Sequence, residues 1–255
     1  MFVLSICKGV RVSSAETVNS VRYWAVVPAA GAGRRMNVDI PKQYLEIRGK
    51  PLMVHTLERL LDFPRLEKVV VVLDQDDEHY PAIDVLRDPR IRLANGSAER
   101  SQSVLNGLRV LLDIADVNDW VMVHDVARPC IRRADLDWLV EQLHDHPVGG
   151  LLAMPVTDTI KRAGADGTVL KTVARQGLWH ALTPQMFRLG LLHDALAAAI
   201  ANGLPVTDEA SAIEYSGQQP VLVEGHADNI KVTRGTDLAL ASLYIEQQSK
   251  LIEVS

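Results

Sequence analysis

A run of small residues followed by cations is the segment of this sequence best suited to chemistry. Residues 28–36 read PAAGAGRRM, and Lys42 comes a few residues later. Small residues let a ligand approach the backbone closely, and successive backbone N–H groups at the end of a strand favour phosphate oxygens. The segment matches neither GxxxxGK(S/T) nor the dinucleotide fingerprint GxGxxG, because Met36 stands where a third small residue is required. An ordinary strand-to-helix turn is the alternative, but Arg34, Arg35 and Lys42 favour a polyphosphate site.

A second segment opens a predicted helix. Residues 95–103 read NGSAERSQS. Because a helix N-terminus attracts anions, Arg100 and Ser103 are candidates to face a nucleotide. Ser97 or Ser101 would cap the same helix, and the two roles are compatible.

Three later polar positions are ambiguous when each is taken alone. Asp125 follows an apolar run and suits Mg²⁺ held among phosphates, but a surface carboxylate paired with Arg128 is an equally open reading. Thr207 precedes a segment that would form a short capped helix. Lys231 would by itself be one more solvated lysine.

The elements that must position these residues alternate along the chain. Five apolar runs predict strands buried on both faces: Tyr23–Ala29, Lys68–Leu73, Arg90–Ala94, Trp120–His124 and Val148–Met154. Five segments with helical periodicity predict helices: Pro51–Asp62, Glu99–Ile114, Ala134–His144, Gly190–Ala201 and Thr236–Gln247. This order predicts an α/β fold with a mostly parallel sheet flanked by helices. The loops at the carboxyl ends of such strands form a shared cleft.

Residues 155–177 break the alternation. Two alternating segments flank an Ala-Asp-Gly turn, which predicts a β-hairpin standing off the sheet. Such a hairpin either contacts a partner or is a plain surface feature, and its own sequence does not decide between the two.

Composition limits the class of protein. The chain has 255 residues, 47% of them hydrophobic, and a formal charge of -5, which excludes a largely disordered chain and disfavours general binding to nucleic acid. Cys7 and Cys130 stand in unrelated contexts and imply no disulfide framework. No apolar run reaches the roughly 18 residues of a membrane span, and the first residues lack the pattern of a secretory signal. We therefore expect a soluble, cytoplasmic protein that does not bind membranes.

Seven motifs taken together resemble one family. They are PAAGAGRRM, PKQYL, HDVARPC, PVTDTIKR, GLWHALTPQ, TDEASAIEY and EGHADNIKVT, in this order from about Tyr23 to about Gln247. The set is similar to the 2-C-methyl-D-erythritol 4-phosphate cytidylyltransferases of the non-mevalonate isoprenoid pathway. The resemblance implies a Rossmann-like nucleotidyltransferase fold in a single domain, 23–249, with the hairpin 155–177 as a dimerisation arm. Residues 1–22 would be an N-terminal extension and residues 250–255 a tail.

The resemblance also implies an activity and roles for single residues. The activity is transfer of CMP from CTP to 2-C-methyl-D-erythritol 4-phosphate by a homodimer that uses Mg²⁺ or another divalent cation. The catalytic cations would be Arg35, Lys42 and Lys231. CTP would contact Ala29, Ala30, Gly31, Gly33, Arg34, Gly96, Arg100, Ser103 and Asp125. The metal would lie near Asp125, directly or through phosphates and water. The second substrate would contact Arg128, Thr159, Arg175, Thr207 and Asp228, with Thr159 and Arg175 reaching in from the neighbouring subunit.

Three other functions compete with this one. A ribitol 5-phosphate cytidylyltransferase would share the scaffold and the CTP loop but take an unbranched acceptor. A catalytically silent nucleotide-binding module is disfavoured because Arg35, Lys42, Asp125 and Lys231 occur together. A nicotinamide oxidoreductase is disfavoured by the broken dinucleotide fingerprint.

Overall fold

A seven-stranded sheet forms the centre of the molecule. The computed structural model describes residues 21–31 and 40–254. The described strands are β1 Tyr23–Pro28, β2 Glu46–Ile47, β3 Lys50–Pro51, β4 Leu66–Leu73, β5 Ile91–Asn95, β6 Trp120–Val123, β7 Gly149–Pro155, β8 Ile160–Ala163, β9 Val169–Val173, β10 Trp179–Arg188 and β11 Val221–Glu224. The central sheet has the order β11-β7-β10-β6-β1-β4-β5, while β2 pairs with β3 and β8 with β9 in separate two-stranded sheets.

The central sheet is mostly parallel, as the alternation of strands and helices predicts. Strands β4, β1 and β6 pair in parallel, as do β4 with β5 and β7 with β11. Only β10 runs antiparallel to its two neighbours, β6 and β7. The five predicted strands are therefore confirmed, with small shifts at their ends.

The sequence pattern did not predict β10 and β11. Strand β10 interrupts its apolar residues with Thr183, Pro184 and Gln185, and its pairing with β7 is irregular there. Thr183 and Gln185 are nevertheless buried, because both side chains bind loops near the carboxyl edge of the sheet. Strand β11 is a short edge strand with mostly exposed residues, so it lacks a strong apolar signal.

Helices cover both faces of the sheet. They are α1 Leu52–Leu61, α2 Arg100–Leu112, α3 Arg133–Leu143, α4 Leu189–Ala201, α5 Glu209–Tyr215 and α6 Gly235–Val254. One buried cluster joins α1 and α3 to one face, and a second joins α2, α4 and α5 to the other. The five predicted helices are all present. Helix α6 runs well beyond Gln247, so residues 250–254 continue this helix and do not form a separate tail. Among the described helices, none combines the length and the apolar character needed to cross a bilayer.

Helix α2 lies so close to the sheet that one of its positions has no room for a side chain. A Cβ atom on Gly107 would lie 2.6 Å from Cγ1 of Val26 and 3.0 Å from Cγ2 of Val72. Both valines belong to the centre of the sheet and are fully buried. The close approach brings the N-terminus of α2 to the carboxyl ends of β1 and β4.

We expect Gly107→Ala to destabilise the protein by about 1–3 kcal/mol, because overpacking outweighs the better helix propensity of alanine. Urea unfolding followed by circular dichroism would measure the change. Gly235→Ala is the matched control, because nothing lies within 4 Å of a Cβ atom at that first position of α6. Equal stability of the two variants would contradict the packing argument.

The predicted hairpin is present and stands apart from the central sheet. Strands β8 and β9 pair with each other in an antiparallel ladder. Val169 and Leu170 are 62% and 64% exposed, so this arm buries little apolar surface within the chain. Residues 155–177 are called the arm below.

Candidate active site

The glycine loop begins against the turn that precedes α2. Ala29 directly follows β1 and is buried, and its carbonyl oxygen accepts a hydrogen bond from Nε2 of Gln43 at 2.9 Å. A Cβ atom on Gly96 would lie 2.3 Å from Cβ of Ala30 and 2.9 Å from the carbonyl oxygen of Leu73. Only glycine therefore allows the two loops to touch. Gly31 is exposed beside this contact.

Some of the predicted phosphate contacts lie outside the described residues. They are Gly33, Arg34 and Arg35. Lys42 begins a short 3₁₀ turn, Lys42–Tyr44, just after this part of the chain, and its side chain is half-buried.

Four charged side chains from four different segments form a continuous row, which we call the charge chain. Nζ of Lys231 lies 2.6 Å from Oδ2 of Asp125. Oδ1 of Asp125 accepts from Nε of Arg100 at 3.0 Å and lies 2.9 Å from its NH2. The other edge of the Arg100 guanidinium faces Glu209, with NH1 to Oε1 at 2.7 Å and NH2 to Oε2 at 3.2 Å. The charge chain thus alternates between cations and carboxylates, in the order Lys231, Asp125, Arg100 and Glu209.

The central pair of the charge chain is firmly ionised. Burial by itself would raise the pKa of Asp125, but Arg100 and Lys231 outweigh it and hold that pKa well below its usual range. Burial likewise opposes the charge on Arg100, but Glu209 and Asp125 raise its pKa further above the usual value. Asp125 is 7% exposed, which excludes the reading of a surface carboxylate. Its ion pairs are with Arg100 and Lys231, whereas the guanidinium of Arg128 donates to the carbonyl oxygens of Asn229 and Ala181.

A buried histidine and a threonine fix the turn that carries Asp125. The N–H of Asp125 donates to the hydroxyl of Thr183 at 3.1 Å, and that hydroxyl lies 3.0 Å from Nδ1 of His124. Nε2 of His124 lies 3.1 Å from the carbonyl oxygen of Arg128. A carbonyl only accepts, so Nε2 carries a proton. Burial lowers the pKa of His124 from 6.5 to about 4, so the imidazole is neutral at pH 7 and its Nδ1 accepts from the hydroxyl of Thr183.

His124 should make stability depend on pH in a defined window. The unfolded chain gains a proton at His124 near pH 6.5, whereas the folded chain resists protonation down to about pH 4. Stability is therefore lost as the pH falls through this window, by about 3 kcal/mol from this residue. His124→Gln should remove this part of the loss. Urea unfolding of both proteins at pH 7 and pH 4 isolates it, and identical pH dependence would contradict the assignment.

The segment that carries Lys231 is bound to the same turn. NH1 of Arg128 donates to the carbonyl oxygen of Asn229 at 2.7 Å, and the N–H of Val232 donates to the carbonyl oxygen of Ala127 at 2.8 Å. Nδ2 of Asn229 donates to the carbonyl oxygen of Thr183 at 2.8 Å. These bonds place the ammonium group of Lys231 opposite Asp125.

Asp228 is engaged within the chain itself. Nε of Arg132 donates to both of its oxygens, at 3.1 and 2.9 Å, and Nε2 of Gln248 donates to Oδ2 at 2.6 Å. Asp228 is 6% exposed. The carboxylate therefore anchors the segment of Lys231 to the start of α3 and to α6, and a substrate contact stays a prediction from the resemblance.

The predicted cap of α2 was wrong. Glu99 occupies the N-cap position and makes no side-chain capping bond. The hydroxyl of Ser103 instead accepts from the N–H of Ser97 at 2.9 Å and donates to the carbonyl oxygen of Glu99 at 3.1 Å. Ser103 is buried and shapes the turn, and Ser101 is also buried.

The remaining predicted substrate contacts lie on two separate surfaces. Thr207 is exposed directly before α5, whose N-cap is Asp208 in a capping box with Ser211. Thr159 and Arg175 are exposed on the arm, and NH1 of Arg175 donates to the carbonyl oxygen of Thr157.

Comparison with known proteins identifies the family of this chain. The family model of 2-C-methyl-D-erythritol 4-phosphate cytidylyltransferase matches residues 23–247. The chain belongs to this family. It is 54% identical over 230 residues to the enzyme of that name from Ectopseudomonas mendocina, covering 89% of this chain and 98% of that protein. It is 50% identical over 224 residues to the enzyme of that name from Vibrio vulnificus, covering 88% of this chain and 94% of that protein.

A solved structure of the same family has the same fold. The crystal structure of the 2-C-methyl-D-erythritol 4-phosphate cytidylyltransferase from Francisella tularensis superposes with a TM-score of 0.76 at 37% sequence identity. The match covers 88% of this chain and 99% of that structure. The Rossmann-like nucleotidyltransferase fold expected from the sequence is therefore confirmed.

Sequence motifs of the cytidylyltransferase family did not reveal several residues that hold this site together. They are His124, Arg132, Thr183, Gln185, Glu209 and Gln248. His124, Thr183, Gln185 and Glu209 lie inside quoted motifs, but each looks there like a neighbour of a more obvious residue. The one available signal is a polar residue placed where a strand or helix must be buried.

Proposed function

We propose that this chain transfers CMP from CTP to 2-C-methyl-D-erythritol 4-phosphate, giving 4-diphosphocytidyl-2-C-methyl-D-erythritol and pyrophosphate in non-mevalonate isoprenoid precursor biosynthesis. Family membership over 23–247 supports the activity. The charge chain at the carboxyl edge of the sheet is the structural observation that supports the mechanism, because it holds the ammonium group of Lys231 against Asp125, directly after β6. A cytoplasmic location suits two highly charged, water-soluble substrates.

The chemistry needs an electrostatic site and no protein nucleophile. A phosphate monoester has a second pKa near ~6, so its oxygen is already an anionic nucleophile at neutral pH. That oxygen attacks the α-phosphorus of CTP in line. A new P–O bond forms while the bond to the bridging oxygen of the β-phosphate breaks, and pyrophosphate leaves with that electron pair. The barrier lies chiefly in bringing two anions together, so fixed cations lower it.

Each segment of the cleft has a role in this step. Lys231 provides a positioned ammonium group at the reacting phosphate, and Lys42 and Arg35 would add charge from the side of the glycine loop. The backbone N–H groups of Ala30 and Gly31 suit the triphosphate, and Gly33 and Arg34 follow them in the sequence. The N–H of Ala29 donates to the carbonyl oxygen of Val72 at 2.8 Å, so Ala29 would contact CTP through other atoms. The turn at Gly96 and the side chain of Ser103 would border the cytidine. The family resemblance would place Arg128, Thr207 and Asp228 on the side where the second substrate enters.

The donor set fits a Mg²⁺ ion held chiefly by the substrate. Within residues 21–31 and 40–254, no group of three or more His, Cys, Asp or Glu side chains could hold a metal ion by itself. Mg²⁺ commonly takes one or two carboxylates together with phosphates and water. Asp125 would be this chain's contribution, through water or the phosphates, because its two oxygens already face Arg100 and Lys231. When bound, the ion would neutralise part of the triphosphate charge.

A homodimer joined through the arm would complete the site. A two-stranded hairpin alone is marginally stable in water, and this one leaves Val169 and Leu170 largely exposed. Contact with a second copy would cover these side chains. The same contact would bring Thr159 and Arg175 to the neighbouring cleft, where the guanidinium of Arg175 would bind the phosphate of 2-C-methyl-D-erythritol 4-phosphate.

Pyrophosphate release by the purified protein tests the proposed function. CTP, ATP, GTP and UTP are compared with Mg²⁺ and 2-C-methyl-D-erythritol 4-phosphate, and CTP is then tested with ribitol 5-phosphate. We expect CTP and the branched acceptor to be preferred. The preference between acceptors should be about 10–200-fold, because one small carbon group in a pocket is worth about 1–3 kcal/mol. Preference for ribitol 5-phosphate would move the function to the alternative enzyme, and no turnover with either acceptor would leave a nucleotide-binding module.

A further inference from the structure

Glu209 has the most buried carboxylate of the charge chain, and no motif assigns it a role. It is the first residue of α5 and is 1% exposed. Its two oxygens lie 2.7 and 3.2 Å from NH1 and NH2 of Arg100. An unpaired carboxylate at this depth would be strongly unfavourable, so the position is built around the pair with Arg100.

The helix that carries Glu209 is itself tightly held. Asp208 caps α5, and its Oδ2 accepts from Nε2 of Gln185 at 2.9 Å. Oε1 of the same Gln185 accepts from the N–H of Ala210 at 2.8 Å. Strand β10 thus fixes the residues on both sides of Glu209. The carboxylate is therefore held in place, whereas the side chain of Arg100 is 31% exposed and its guanidinium is positioned by its partners.

The two edges of the Arg100 guanidinium are divided between two carboxylates. Every one of its nitrogens faces a carboxylate oxygen, with NH1 and NH2 on Glu209, and Nε and NH2 on Asp125. On Asp125 the guanidinium uses Oδ1 alone. Oδ2 therefore remains for the ammonium group of Lys231 at 2.6 Å.

We propose that Glu209 is a positioning residue for CMP transfer, because it holds Arg100 on one oxygen of Asp125 and so leaves the other oxygen to place Lys231. This inference rests on the proposed function only for its kinetic readout. Arg100 in turn acts mainly between the two carboxylates, and a CTP contact from its guanidinium would have to compete with both.

Loss of the charge on Glu209 has a definite consequence for Lys231. The guanidinium would keep a full positive charge with only Asp125 to balance it, and bidentate pairing with both oxygens of Asp125 is its preferred geometry. Lys231 would then lose its carboxylate partner, because the charge of Asp125 would be balanced by Arg100. The amine would move away from the place where charge develops during transfer.

Two substitutions at Glu209 separate charge from shape. Glu209→Gln keeps the size and removes the charge, whereas Glu209→Asp keeps the charge and shortens the side chain. We expect Glu209→Gln to lower kcat by about 10–100-fold, comparable to the loss when the hydrogen-bond partner of a metal ligand is removed. KM for CTP should change much less than kcat. Glu209→Asp should retain more activity than Glu209→Gln, whereas a purely structural role would favour the isosteric glutamine. Glu214→Gln, exposed on the same helix, is the matched control and should behave like wild type.

Two further measurements test the coupling between Glu209 and Arg100 in the charge chain directly. Because Glu209 acts through Arg100, the variant Glu209→Gln combined with Arg100→Lys should be no slower than the slower single variant, whereas independent roles would multiply. Side-chain ¹⁵N NMR of the substrate-free protein should show a restrained Arg100 guanidinium in wild type and a mobile one in Glu209→Gln. Wild-type kcat in Glu209→Gln, multiplicative effects or an unchanged guanidinium would overturn the proposal. An inactive wild type with the expected NMR change would instead contradict the proposed function alone.

Discussion

Replacement of Lys231 by methionine should lower kcat for CMP transfer by about 10²–10³-fold, the cost typical of removing one preorganised electrostatic group from a transition state. Methionine keeps an unbranched apolar stem and removes only the ammonium group. In the structure this group lies 2.6 Å from Asp125, on a segment fixed by Arg128 and Asn229. Steady-state pyrophosphate release with CTP and 2-C-methyl-D-erythritol 4-phosphate measures the loss.

Lys250→Met is the matched control for this experiment. Lys250 lies on the exposed side of α6 and pairs with Glu246 at 2.7 Å. Exposed pairs of this kind contribute little, so stability and kcat should both stay at wild-type values. A wild-type kcat in Lys231→Met, measured beside this control, would contradict the role of Lys231 at the reacting phosphate.

Most of the fold could be predicted from the sequence because its signals are local. Continuous apolar runs rich in valine mark β1, β4 and β6, which are buried on both faces. Strand β10 could not be predicted in this way. Its central residues are polar, and they are buried because loops distant in the chain supply hydrogen-bond partners, as the N–H of Asp125 does for the hydroxyl of Thr183.

The candidate site also has a part that the sequence predicts and a part that it does not. Family motifs identify Asp125 and Lys231, and the predicted helix N-terminus at 95–103 identifies Arg100. The structure brings all three side chains together at one edge of the sheet. The pairing of Arg100 with Glu209 joins residues 109 positions apart, so no local pattern could predict it. The orientation of each side chain depends on such distant partners. Sequence therefore predicts which residues lie in the cleft but not which of them hold the others in place.

Substitution of Arg175 should have the second large effect on activity. Arg175 is exposed on the arm, outside the central sheet, so its replacement should leave the core of the protein unchanged. We expect Arg175→Ala to lower kcat/KM for 2-C-methyl-D-erythritol 4-phosphate by about 10–100-fold, the cost of one charge-assisted contact to phosphate. The loss should appear mainly in this substrate and not in CTP. Steady-state kinetics with each substrate varied in turn separates the two.

Mixing two defective proteins tests whether the arm acts on the neighbouring site. In a two-fold dimer of Arg175→Ala with Lys231→Met, one cleft receives both defects and the other receives neither if the arms cross. A mixture in equal amounts should then recover about one quarter of the wild-type activity, since about half the dimers are mixed and each has one intact site. Arg175→Ala mixed with Thr159→Ala is the control, because every arm in that mixture is defective. Recovery should be absent there. If the arm acts within its own chain, every site of the first mixture keeps one defect, so heterodimers verified by two affinity tags would show no recovery.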